Sequence, residues 1–145
     1  MAAKKKKKTK TTKKAKKKVA TKAALSGSKS LVIVESPAKA RTINKYLGRG
    51  YVVRHSLGHV RDLPKSRLGV DVDKGFEPKY LKLRDRKQVL EDLRKALKEC
   101  GTVYLATDPD REGEAIAWHL KEALNLPEEH VKRITTNEID RKSVV

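Results

Sequence analysis

Short apolar runs alternate with helix-like stripes along most of this chain. Residues 31–34, 51–53 and 103–106 are continuously apolar instead of alternating. Runs of that kind mark strands covered on both faces, as in a parallel sheet. A further strand is expected over residues 131–135. Between these runs the period changes. Ile43, Tyr46 and Leu47 follow Pro37 at helical spacing, with Ser36 as the expected cap and Gly48 as the stop. Leu90, Leu93, Ala96 and Leu97 form a second stripe, with Arg94, Lys95 and Lys98 outward and Gly101 expected to end the helix. Ile116, Leu120, Ala123 and Leu124 form a third. From Arg61 to about Lys82 the pattern fades among Pro64, Gly69, Gly75 and Pro78, which predicts a long loop with one extended piece. Asn137, Glu138 and Ile139 begin a further element. Strands alternating with helices predict an α/β fold, a mainly parallel sheet joined by right-handed crossovers.

Charge divides the chain in two. Residues 1–29 hold 13 lysines and no acidic residue, which leaves only +5 of the formal +18 for the remainder. A block of like charge without aromatic residues cannot bury enough apolar surface to offset its ordering entropy, so residues 1–29 are expected to be a disordered tail. Residues 30–145 are expected to form the globular domain. The lysines of residues 4–22 suit a polyanion, DNA or RNA, because each neutralised phosphate releases counterions. The tail lacks the apolar centre of a secretory leader, and no run reaches the length of a membrane span. Cys100 is the single cysteine, which excludes an intramolecular disulfide and a cysteine cluster for zinc.

The chemistry is concentrated after the third apolar run. Asp108, Asp110 and Glu112 stand at alternate positions at the end of a predicted buried strand, and Glu35 stands at the end of the first. Open α/β sheets place ligands at such strand ends. Four carboxylates in one crevice repel one another unless a hard cation such as Mg2+ neutralises them or one keeps its proton. Lys39 and Arg111 lie close enough in sequence to hold a phosphate against such an ion. The competing reading is a plain helix start, with Asp108 as cap, Pro109 at the first position and acids in the first turn. His59, in a turn after Gly58, is either a phosphate contact or a surface residue. His119 and Trp118 fit packed helix positions.

Three motifs resemble those of the bacterial type IA DNA topoisomerases. They are residues 32–40 with Glu35, Ser36, Pro37 and Lys39, residues 58–64 with Gly58, His59 and Arg61, and residues 108–119 from Asp108 through Trp118 and His119. They occur in the family's order. The resemblance implies a Rossmann-like Toprim domain that binds Mg2+ through Glu35, Asp108, Asp110 and Glu112. It implies that Glu35 moves a proton at the 3′ oxygen, that Lys39 steadies the scissile phosphate, and that Arg111 and Glu112 serve the same site. His59, Arg111 and Lys39 would lie along the DNA. In such enzymes a tyrosine opens one strand through a 5′-phosphotyrosyl link, another strand passes, and the break is resealed without ATP. Tyr46, Tyr51, Tyr80 and Tyr104 match no part of the nucleophile motif, so half of an active site is expected here. The partners implied are a single-stranded DNA segment and negatively supercoiled duplex, bound by a monomer in the cytoplasm at the nucleoid. A self-contained Toprim nuclease using water, and a non-catalytic DNA-binding module, are the alternatives.

Overall fold

The computed structural model describes residues 25–135. Residues 1–24 of the expected tail and the element expected from Asn137 lie outside the described residues; residues 25–29 are described, and Lys29, expected in the tail, lies in the first strand, while Leu25 packs on the core. Four parallel strands form the sheet: β1 (Lys29–Val34), β2 (Tyr51–His55), β7 (Cys100–Leu105) and β8 (Val131–Arg133), in the order β2-β1-β7-β8. β1 pairs with β2 through Val34↔His55 and with β7 through Ile33↔Leu105.

Each of the three stripes became a helix because it faces the sheet. α1 (Pro37–Tyr46) begins as expected, with Pro37 in its first turn and the Ser36 hydroxyl accepting the Lys39 N–H at 3.3 Å. α2 (Lys87–Leu97) buries Leu90, Leu93, Ala96 and Leu97, and α3 (Arg111–Leu124) buries Ile116, Ala117, Leu120, Ala123 and Leu124. The continuous run of β1 serves both sides. Leu31 and Ile33 enter the core under α2 and α3, whereas Val32 and Val34 pack with Ala40 and Ile43 of α1. The result is a three-layer α/β sandwich, the fold class expected.

Two details differ from the sequence reading. Gly101 does not end α2. The helix stops at Leu97, its last turn tightened by Lys98 N–H to Lys95 O, and Gly101 lies inside β7. A Cβ there would sit 2.4 Å from the Gly27 carbonyl oxygen, so the residue is needed for close passage of two backbones. The segment 61–82 is also more ordered than a loop. It holds two antiparallel ribbons, β3 (Arg61–Asp62) with β6 (Leu81–Lys82), and β4 (Val70–Asp71) with β5 (Glu77–Pro78). Strands of two residues carry no periodicity that a sequence could display.

Candidate active site

Strand order fixes where the site lies. β1 has β2 on one side and β7 on the other, so the chain reverses its direction of travel across the sheet there, and a crevice opens beyond the carboxyl ends of β1 and β7. Glu35 is the first residue past β1. Ala106 N–H continues the ladder to Ile33 O at 2.9 Å, and Asp108 follows two residues later.

Glu35 and Asp108 meet around one cation. The Lys39 ammonium, one turn into α1, donates to both Glu35 Oε1 and Asp108 Oδ1. Burial works against the charge on Lys39. The bonds to Asp108 and Glu35 outweigh it and raise the ammonium above its ordinary pKa. The Lys39 hydrogen bond in turn holds Asp108 below the usual carboxylate range. The other Glu35 oxygen, Oε2, is buried without a hydrogen-bond partner. A buried carboxylate oxygen left unpaired is costly and calls for a cation or proton donor.

The acidic turn itself is held by backbone. Asp110, not Asp108, caps α3: its Oδ1 accepts Gly113 N–H at 2.6 Å. The buried Thr107 hydroxyl donates to Gly113 O at 2.7 Å. Gly113 permits the fold-back, because a Cβ there would lie 2.0 Å from the Asp108 carbonyl oxygen. That close crossing carries residues 108 and 109 over the first turn and moves the cap two residues on. Arg133, at the end of β8, closes the turn from the other side. Its Nη1 donates to Leu105 O and Thr107 O, each at 2.9 Å, and its Nη2 to Asp108 O at 3.0 Å. Glu114 Oε1 fixes the guanidinium from Nη2 at 2.7 Å.

After β2 the chain passes through Leu57 and Gly58, both in the left-handed region at φ 56° and 81°. A leucine there is strained. The turn brings His59 Nε2 to 3.6 Å from Glu112 Oε1. A cavity of about 640 Å³ between β2 and α2, lined by Tyr51, Arg54, His55 and Glu99, stands apart from this crevice and includes none of its acids.

A model of the Toprim domain matches residues 30–139. The chain belongs to the Toprim domain family. Among solved structures it is similar to full-length topoisomerase I from Thermotoga maritima, with 43% identity and a TM-score of 0.70 over 79% of this chain and 19% of that one. The chain thus spans about a fifth of the length of that topoisomerase. Both findings bear out the likeness of this Toprim domain to those of bacterial type IA topoisomerases.

Of the expected site residues of this Toprim domain, Glu35, Lys39 and Asp108 come together. Asp110 is engaged as a cap and Glu112 faces His59. Among the described residues no three carboxylate, imidazole or thiol side chains stand close enough to hold an ion. The donors nevertheless fit a hard cation: all are carboxylate oxygens, and Glu35 Oε2 lacks a partner. Arg111 is exposed at the first position of α3. His119 is buried as expected, but Trp118 is 48% exposed and belongs to no core cluster. It lies off the buried stripe of α3, turned toward the β3–β6 ribbon. The sequence reading missed Arg133, whose only signal was an arginine within a predicted strand, which ends at that residue in the structure. No helix among the described residues is long and apolar enough to cross a membrane.

Proposed function

We propose that this Toprim domain is the acid- and metal-bearing half of a type IA DNA topoisomerase active site. The observation that carries it is the pairing of Glu35 and Asp108 across the switch point, bridged by Lys39, with Glu35 Oε2 buried and unpartnered. Glu35, Asp108 and Asp110, with Glu112 beside them, would hold Mg2+. Bound there, the ion would supply positive charge to phosphate oxygens and to the leaving oxygen.

The chain's own residues do the rest. A tyrosine hydroxyl of another domain gives up its proton to water as it attacks the phosphodiester, the bond from phosphorus to the 3′ oxygen breaks, and that oxygen takes a proton. Glu35 stands at the crevice to give this proton and to take it back when the 3′ hydroxyl reseals the strand. Lys39 turns from Asp108 to a non-bridging phosphate oxygen and steadies the charge that grows there. Arg111, exposed beside the acidic turn, and His59 hold the strand on either side. The lysines of residues 4–22 add affinity without sequence preference, so binding falls steeply with salt. The substrates are a single-stranded segment and negatively supercoiled duplex, handled by a monomer in the cytoplasm at the nucleoid.

Calorimetric titration with Mg2+ tests the reading. The chain is expected to bind the ion, and Glu35→Gln combined with Asp108→Asn is expected to abolish the heat. Equal heats from the two proteins would overturn the metal site. Nicking of supercoiled plasmid by this chain without a tyrosine-bearing partner would favour a self-contained nuclease.

A further inference from the structure

The exposed Trp118 stands in an unusual setting. Its ring meets Tyr80 edge to face with centroids 5.6 Å apart, and the Arg61 guanidinium carbon lies 5.1 Å from the Trp118 centroid and 5.3 Å from that of Tyr80. The β3–β6 ribbon brings these groups onto α3, with Arg61 paired to Lys82 and Tyr80 just before β6. Arg61 Nε donates to the buried His119 Nδ1 at 3.1 Å, while its Nη2 is buried without an acceptor. Below the cluster, His119 stands 6.3 Å from His59, which reaches Glu112. A continuous line of side chains therefore joins the acidic turn to Trp118. On α3, Trp118 is seven residues beyond Arg111, hence on nearly the same face and about 10 Å along the axis.

A half-exposed aromatic ring, backed by a second ring and an arginine, is the arrangement that accepts unpaired bases. We propose that Trp118, supported by Tyr80 and Arg61, is a stacking platform for an unpaired base of the DNA strand that enters the Glu35–Asp108 crevice. This rests on the reading of the chain as a strand-handling Toprim domain. A strand with one phosphate at Arg111 would place a nearby base over the indole. Basic groups gather nearby, with Arg61 and Arg94 both acting on the Lys82 ammonium.

Trp118 is the single tryptophan, so intrinsic emission of the full chain reports this position alone. The ligand to use is oligothymidylate, with anisotropy of a labelled copy as an independent measure of binding anywhere on the chain, tail included. Emission is expected to be quenched saturably by the unlabelled oligonucleotide and left unchanged by an abasic oligomer of equal length. Trp118→Ala is expected to weaken single-strand binding on the order of 5- to 150-fold at elevated salt. It should leave the slope of affinity against salt unchanged, because stacking releases no counterions. Trp118→Phe should restore most of the loss. Anisotropy that reports binding while Trp118 emission stays constant would overturn the platform alone and give this face to a protein partner. No anisotropy change at all would overturn the strand-handling reading, and the platform with it.

Discussion

Gly113→Ala tests the close crossing that shapes the acidic turn. In an ordinary helix the change would stabilise by about 1 kcal/mol. Here the added Cβ would lie 2.0 Å from Asp108 O and 2.8 Å from Asp108 C, whereas real Cβ contacts essentially never fall under 3.0 Å. The obstacle is backbone, so the turn must retreat by about 1 Å. That retreat strains the Asp110 cap and the Thr107 hydrogen bond, both of which end on Gly113. Loss of a cap costs about 1 kcal/mol, and a buried hydroxyl left unsatisfied costs about 1–3 kcal/mol. Set against the helix gain, the net destabilisation is about 1–3 kcal/mol, a fall in Tm on the order of 5–15 °C for a domain of this size. Urea and thermal unfolding followed by circular dichroism measure it. Gly50→Ala, where a Cβ meets nothing within 4 Å, is the control and should be near neutral. A Gly113→Ala protein as stable as the parent, or more so, would refute the argument that this glycine is required by contact.

Three other outcomes follow from the same contacts. Because Lys39 depresses Asp108 below its ordinary 3.8, the pair contributes stability that is present above that value and lost as pH falls through the folded pKa. Lys39→Met should raise the Asp108 titration, read by carbon NMR of the carboxyl, and an unmoved titration would show that Lys39 is not the cause. His119 is held below its ordinary 6.5 by burial and then by Arg61 and His59, so the folded state resists its protonation. Stability should decline as pH falls from about 6.5 toward the folded pKa, and His119→Gln should remove that slope in urea unfolding; an identical slope in the variant would exclude His119 as the source. Cys100 is buried, and desolvation followed by the Glu99 charge pushes its thiol upward. Iodoacetamide at mildly alkaline pH should modify it only after denaturation, and rapid labelling of the folded chain would contradict its burial.

The sheet and helices were legible because their signals are long and redundant. β1 is apolar on both faces and α2 repeats its stripe through three turns, so neither depends on one residue. The ribbons of 61–82 were not legible, since two-residue strands show no period. Site composition was partly legible. Glu35 and Asp108 could be placed at strand ends from order alone, and Lys39 followed from its position one turn into α1. The cap was misassigned, because choosing Asp110 over Asp108 depends on a contact across the turn, between Gly113 and the Asp108 carbonyl. Trp118 was misread for a related reason. Its neighbours Ala117 and Leu120 point into the core, and only the partner ribbon decides what a ring just off that stripe meets. Arg133 acts through backbone carbonyls, which are the same whatever residue supplies them, so no sequence pattern could announce its targets.

The direction of β1 has a consequence for how the molecule approaches charge. Lys29 opens that strand and Glu35 follows its end, six residues away, which is about 20 Å. The lysines of residues 4–22 are therefore attached at one end of the sheet while the carboxylates gather at the other. The segment that carries them thus enters the sheet about 20 Å from the acids. A polyanion drawn to the Lys29 end of that strand would leave the crevice at the other end uncovered, open to a second segment.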